Sequence, residues 1–387
     1  MDTKHSRDSF ASVLCVMALV LGIGGGLKNH ARAGEIVADF RDEFTSPTPP
    51  ADWRYQRNDG SIFDTNTYVD LVWDNGNNWY DQSDNNGFDG PMIRSAGGHP
   101  EGGPQYAIAG YRVAAGEAGY LALTNSFVNH GGAGGNGVDV YVFVNDRWYE
   151  RVPQVFGESH NLYTALGYVN AGDWVFTCVG PGPFGVSSGN DSFGMEMNIA
   201  KLDFKALQAI ASYRADYPAD GVPVGTWTYQ YATDADIGNS AQYQDLEWDG
   251  TRFDRNGGDS GWNTPGLSPT GGHPDSPAAS PWAIAGITVP AAGAYLLTDT
   301  SLARPNTGGT TGIDIRLYVN DALVREVKVP IGTTKAAFDT LLGELQSGDR
   351  VYVALGPDGQ PNADSTQFDF TLARIDTDPR GTLIIVR

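Results

Sequence analysis

Cysteine is scarce in this chain of 387 residues: Cys15 lies in an apolar N-terminal stretch, and Cys178 stands alone beyond it. No internal disulfide can form past residue 33, so the fold must be held by its cores. Basic residues are also few, 25 Lys and Arg against 46 Asp and Glu, for a net charge of −21. Residues 1–33 hold four of the basic and two of the acidic groups, so the remainder carries 21 against 44, a net of −23. That balance argues against nucleic acid, whose phosphates need Lys and Arg neighbours, and against anionic membrane surfaces. It suits simple solubility in a salty medium, a neutral polysaccharide, or Ca²⁺. There is a single long apolar run, near the start. Lys4 and Arg7 precede Phe10 to Leu27, and Ala31-Arg32-Ala33 fits a small-x-small cleavage site. A secretory leader over 1–33 is expected, because the compact stretch Ala11 to Leu21 falls well short of the about 20 residues that span a bilayer. The chain beyond it is expected to be secreted or at the cell surface, with no membrane contact once the leader is removed.

Repetition is abundant. Trp53-Arg54-Tyr55 recurs as Trp227-Thr228-Tyr229, Trp73-Asp74 as Trp248-Asp249, and Gly97-Gly98-His99-Pro100 as Gly271-Gly272-His273-Pro274. Ala107-Ile108-Ala109-Gly110 returns as Ala283-Ile284-Ala285-Gly286, Val144-Asn145-Asp146 as Val319-Asn320-Asp321, and Gly172-Asp173 as Gly348-Asp349. Order is kept and the offset drifts only between 173 and 176. The pattern is a duplication, with one copy over 36–204, a second over 209–376, and a short tail over 377–387. Cys178 matches Ala354, so it fills space and carries no chemistry. Tandem copies favour recognition, because a second weak site raises the effective concentration at a polymeric ligand.

Val138, Val140, Val142 and Val144 alternate with Asp139, Tyr141, Phe143 and Asn145, the period of a strand with one buried face. Ile313, Ile315, Leu317 and Val319 keep the pattern in the second copy, and Asn145-Asp146 and Asn320-Asp321 supply turns. Thr334 to Gln346 reads as helix by propensity, but its counterpart Leu162 to Asn170 carries Tyr, Thr and Val, so both are predicted as strands. Fifty Gly and 22 Pro between apolar runs complete an all-β picture. The fold class predicted is two tandem antiparallel β-sandwich domains of jelly-roll type after a signal peptide.

Sugar rings stack their C–H faces on indole and phenol while amides and carboxylates bond the hydroxyls. Trp79, Tyr80 and Asp81 in the first copy, and Asp259, Trp262 and Asn263 in the second, lie in loop-like, Asn- and Gly-rich contexts and are the predicted ligand-binding residues. Trp53, Tyr55 and Trp73 recur in strand-like settings and read as core. The repeated Gly-Gly-His-Pro reads as a structural turn, because neither His has a nucleophile placed beside it in both copies and two lone histidines make no zinc site. Asp139 and Asp314 follow Gly-rich loops of the oxygen-rich kind that hold a structural Ca²⁺, the one cofactor the sequence suggests. Asp191 and Asp364 also correspond. Asp245-Leu246-Glu247-Trp248-Asp249 has the look of a glycosidase carboxylate pair, but its partner Asp70-Leu71-Val72-Trp73-Asp74 has no Glu. Gly157-Glu158-Ser159-His160-Asn161 misses the final Gly of a nucleophile elbow.

Asp39-Phe40-Arg41-Asp42-Glu43-Phe44, Trp53-Arg54-Tyr55, Trp73-Asp74, His99-Pro100, Ala109-Gly110 and Gly172-Asp173 resemble the repeat units of large secreted proteins of planctomycete-type bacteria. Those units are similar to carbohydrate-binding-module jelly rolls found beside polysaccharide lyases and hydrolases. The resemblance covers both copies and implies glycan recognition without naming a sugar. Many members end in a proline-glutamate-proline sorting signal; the stretch to Arg387 carries none, so anchoring by that route is not expected. The leading expectation is a secreted, non-catalytic protein whose two modules bind extracellular polysaccharide. A structural or adhesive protein of the envelope or matrix is the alternative, and a jelly-roll lyase or glycosidase the second.

Overall fold

The computed structural model describes residues 35–44, 48–74, 78–82, 90–100, 103–131, 135–157, 159–182, 191–204, 206–256, 265–274, 281–305, 312–358 and 365–376. Among these the regular elements are strands, apart from single helical turns at Phe40–Glu43 and Tyr213–Asp216 and two short 3-10 turns. Strands between Ile36 and Lys201 pair among themselves, and so do those between Ala206 and Asp376. All pairings between named strands are antiparallel. Each copy contains a six-stranded sheet with the same order. In the first it runs Arg147–Val155, Val138–Val144, Trp174–Pro181, Ala107–Arg112, Trp53–Asn58, Tyr68–Asp70. In the second it runs Ala322–Val329, Ile313–Val319, Arg350–Pro357, Trp282–Thr288, Trp227–Ala232, Gln244–Asp245. The chain crosses repeatedly from this sheet to a second layer, the winding of a jelly roll.

The second layer bends, and the sequence shows where. Gly293–Ala303 and Thr366–Asp376 are continuous long strands in the second copy. Their counterparts in the first are broken into Gly119–Leu123 with Ser126–His130 and Phe193–Glu196 with Asn198–Lys201. At the bend Asn125 has φ of 49° and Asp299 has φ of 51°, a left-handed conformation that short polar side chains tolerate. Between the layers lie Phe40, Trp53, Tyr55, Leu121, Val128 and Met195 in the first copy. Tyr213, Trp227, Tyr229, Phe253, Phe368 and Phe370 fill the second.

One expectation needs correcting. The alternation in 138–144 predicts one buried face, yet all seven residues are buried. The far side of the sheet carries Tyr141, Phe143, Phe176 and Cys178, covered by Ile62 and its loop. The second copy repeats the arrangement with Trp282, Tyr318 and Tyr352 beneath Ile237 and Tyr243. Strands fill the second half of Thr334–Gln346, as Thr340–Leu345, and most of Leu162–Asn170, as Ala165–Val169, while residues 334–339 lie outside any strand and bridge only at Ala336.

The copies touch extensively. Residues 330–339 lean on the first copy, where Ala337 donates its N–H to the Trp148 carbonyl at 2.9 Å and Ala336 bridges Trp148. Arg325 donates to the Asp339 carbonyl at 2.6 Å, to Glu150 at 3.1 Å and to the Tyr149 carbonyl. Lys335 pairs with Asp146. Nearby, Ala165 and Tyr120 join Ala294, Leu296, Leu341 and Ile375 in an apolar cluster that also takes in Phe204 and Leu207. Strand Ala206–Ser212 already belongs to the second copy's sheet, paired with Thr366–Asp376.

The Gly-Gly-His-Pro repeat is a strand, not the turn its composition suggests: Gly97–His99 and Gly271–His273. A Cβ on Gly97 would meet the Phe193 carbonyl oxygen at 1.9 Å, and one on Gly271 the Thr366 carbonyl oxygen at 1.9 Å. Gly97→Ala or Gly271→Ala is expected to lower stability by at least about 3 kcal/mol, because the clash is with backbone. Gly116→Ala, where a Cβ meets nothing within 4 Å, should stay within about 0.5 kcal/mol of the parent. Urea unfolding of the three variants checks this; equal midpoints would refute the packing role.

Candidate functional site

The residues predicted to bind ligand fare differently. Trp79 lies in the strand Asn78–Tyr80 and is only 8% exposed. Tyr55 lies 5.6 Å and Trp73 5.5 Å from it, ring centre to ring centre. Stacking on sugar needs an open face, so Trp79 is a core residue in this structure and the reading of it as a platform is corrected. Tyr80 is half-buried. Asp81 is buried and its Oδ2 takes the Arg57 Nε at 2.7 Å. Asp259, Trp262 and Asn263 lie outside the described residues.

The repeated histidines His99 and His273 are both buried. Burial pushes the His273 imidazole down to about 4, so it stays neutral near pH 7. A histidine that drew no attention in the sequence is better placed for chemistry: His130 Nε2 lies 3.2 Å from Asp191 Oδ1, both side chains fully buried. Phe156 covers the imidazole at 5.2 Å. Strand register puts Arg304 at the same place in the second copy, fully buried as well. An arginine cannot act as a base, so the copies share a buried nitrogen-bearing side chain at this place and not a common acid–base group. Asp364, the counterpart of Asp191, lies outside the described residues.

Asp139 and Asp314 give the fullest constellation. Each is the second residue of its strand, Val138–Val144 or Ile313–Val319, at the sandwich end where the Gly-rich loop arrives. Both are buried, and in each the Oδ1 meets no partner among the described residues. In the first copy Arg151 Nη2 donates to Asp139 Oδ2 at 3.1 Å, and its guanidinium lies 5.4 Å from the Tyr141 ring centre. Arg151 Nε is buried without a partner among the described residues. In the second copy the cation is Arg316, 3.6 Å from Asp314 Oδ2, 3.0 Å from Glu326 Oε1, and 4.5 Å from the Trp282 ring centre. Register equates Arg316 with Tyr141 and Glu326 with Arg151. The guanidinium has thus changed strands between copies while the carboxylate, the cation and an aromatic ring remain together. Sequence reading marked the two aspartates; the arginines were hidden because they occupy non-equivalent positions.

Among the described residues no group of three or more His, Cys, Asp or Glu is placed to hold a metal ion. The cation beside Asp139 is the Arg151 guanidinium, and the Gly-rich loops on which the Ca²⁺ reading of Asp139 and Asp314 rests lie in part outside the described residues. Chemically, a carboxylate next to a forked donor matches adjacent hydroxyls, one donating and one accepting. The ring face attracts the guanidinium, worth about 0.5–2 kcal/mol at such distances.

Burial raises both carboxyls. Asp139 moves up despite Arg151, and Asp314 is pushed up to about 6, burial first, with Asp358 and Glu326 adding to it and Lys328 and Arg316 opposing. A folded value above the unfolded one means the native state holds the extra proton between about 4 and 6. The associated stability is present below that window and lost as pH rises through 6. Asp314→Asn removes this dependence. The stability of Asp314→Asn relative to the parent is expected to be about 2 kcal/mol more favourable at pH 7 than at pH 4.5, measured by urea unfolding at both. A constant difference would refute it.

No protein-family model matches this chain, and no curated protein matches it either. Solved structures similar to it include the tandem CBM51 modules of a family 98 glycoside hydrolase from Streptococcus pneumoniae SP3-BS71, at 9% identity and TM-score 0.23, covering 74% of this chain and 84% of that one. The CBM22-1-CBM22-2 tandem of Paenibacillus barcinonensis Xyn10C matches at 12% identity and TM-score 0.20, covering 93% and 100%. The M60 catalytic domain with CBM51-1 and CBM51-2 from Clostridium perfringens ZmpB matches at 10% identity and TM-score 0.21, covering 90% and 39%. Likenesses at these TM-scores assign no ligand to this chain.

Proposed function

We propose that this chain is a secreted, non-catalytic protein that binds extracellular polysaccharide through its two β-sandwich copies. The observation that supports this most is the duplicated constellation: a buried carboxylate, a guanidinium and an aromatic ring at the same end of both copies, rebuilt from different residues. Arg151 and Arg316 are the principal hydroxyl-reading groups, Asp139 and Asp314 orient them, and Tyr141 and Trp282 support them from below. A net charge of −21 favours a neutral polymer over a phosphorylated or sulfated one. Two sites on one chain suit a repeating ligand, because the second engagement is intramolecular. Replacement of His130 by Arg304 speaks against acid–base chemistry shared by the copies.

The test is retention of the protein, freed of residues 1–33, on a panel of neutral insoluble polysaccharides. The Arg151→Lys/Arg316→Lys variant runs beside it, and product release is assayed in the same tubes. Lysine keeps the charge beside each aspartate but loses the fork, so the fold should persist while retention on the preferred polymer falls at least about tenfold. Unchanged retention would remove the constellation as the site. Failure of the parent on every polymer would favour the adhesive reading, and released product an enzyme.

A further inference from the structure

The duplication supplies its own control for finding residues with a special task. Where the copies meet, the first departs from the second in three linked places. Trp148 stands where the second copy has Leu323, Phe63 where it has Gly238, and Asp146 faces the other copy where Asp321 bonds within its own. In the second copy Asp321 accepts from the Ser240 N–H at 2.8 Å and closes its own loop. In the first, Asp146 instead pairs with Lys335 of the second copy.

These departures surround a cleft of about 290 Å³ between the copies, walled by Ser61, Phe63, Asp146 and Trp148 on one side and by Thr334 and Lys335 on the other. Its size is at the lower end of small-molecule sites, which begin at about 300 Å³. Phe63 is 42% exposed, yet its ring is held by Tyr141 at 5.6 Å and Phe143 at 6.1 Å. Its loop is tied down by the 3-10 turn Thr65–Thr67, capped by Asp64. The opposite wall is equally fixed, since Arg304 donates its N–H to the Thr333 carbonyl at 2.7 Å and accepts from the Gly332 N–H at 3.1 Å. Trp148 is fully buried, and its indole Nε1 has no partner among the described residues. Buried polar groups are seldom left so.

We propose that this cleft is a third sugar subsite, taking one pyranose ring of the same polymer; the inference rests on the polysaccharide-binding reading above. A flat, rigid, half-exposed ring stacks on a sugar face. Hydroxyls of Ser61 and Thr334 and the ends of the Asp146–Lys335 pair offer both donors and acceptors. The walls carry one acidic and one basic side chain, so a neutral ligand enters without an uncompensated charge. An apolar peptide would leave that ion pair and the hydroxyls facing carbon.

The test is NMR of the full chain, following the Trp148 indole N–H and the Arg151 and Arg316 Nε–H signals while cellohexaose, xylohexaose or mannohexaose is added. With at least one of the three, the Trp148 signal is expected to shift saturably. Thr334→Trp, at an exposed position, fills the cleft without disturbing the core. It should abolish the Trp148 shift and weaken binding about three- to tenfold, while both arginine signals still respond. Phe63→Ala should weaken binding to a similar degree. Arginine signals that move while Trp148 stays still, or a Trp148 shift that survives Thr334→Trp, would overturn the subsite and leave the two-site reading standing. Movement of Trp148 alone would keep the cleft and remove the arginines as the site. No response to any of the three sugars would overturn both.

Discussion

The structure depends on a sheet buried on both faces. In each copy the six-stranded sheet packs one side against its partner layer and hides the other beneath a loop that brings in Ile62 or Ile237. Such a sheet accommodates apolar and aromatic side chains at successive positions, and the run Val138–Val144 meets that demand at every residue but one. Asp139 is the exception. A carboxylate removed from water must either be neutralised or find a cation. Desolvation raises its pKa and Arg151 pulls against it, so the ion pair follows from the burial.

The same constraint makes the duplication informative. Had the ion pair been needed only to balance charge, any nearby cation would serve, and the aromatic partner would be incidental. Instead the cation moved from the strand Arg147–Val155 in one copy to Ile313–Val319 in the other, and in both it lies across a ring. The ring itself changed from tyrosine to tryptophan and from one strand to another. Keeping three groups together while exchanging every supplier except the aspartate points to the constellation as the thing retained.

Most of the scaffold was legible from sequence because its causes are local. Alternating valines, Asn-Asp turns and the fixed offset between copies each reflect a physical requirement that short segments express. Asn145 and Asn320 take φ of 52° and 53°, as turn chemistry requires. What sequence could not show was how far each strand is covered. Trp79 sits among asparagines and reads as a loop residue, but its strand pairs with Met92–Arg94 and its ring enters the core with Tyr55. The Gly-Gly-His-Pro repeat misled for a related reason. Its glycines answer to a neighbouring carbonyl brought close from about a hundred residues away, a contact that local composition cannot reveal. Arg151 and Arg316 escaped because aligning the copies compares equivalent positions, and these two are equivalent only in space.

The contact between copies bears on what the protein can grip. A flexible linker would let two sites search independently, whereas here Arg325, Lys335 and the Trp148–Ala336 bridge hold the copies against each other. The half-exposed Lys335–Asp146 pair is modest alone, since such ion pairs contribute about 0–1 kcal/mol. Trp148 supplies the larger part, being fully buried at a position where the second copy has only a half-exposed leucine. Under the proposed reading, fixed spacing favours ligands whose own repeat fits it, and for those it removes the entropic cost of ordering a linker. An extended, semi-rigid polymer satisfies that condition; a flexible or globular partner gains nothing from it. Divergence at the seam therefore fixes the spacing of the two copies, and under the proposed reading it would turn two sites into one longer surface of set length.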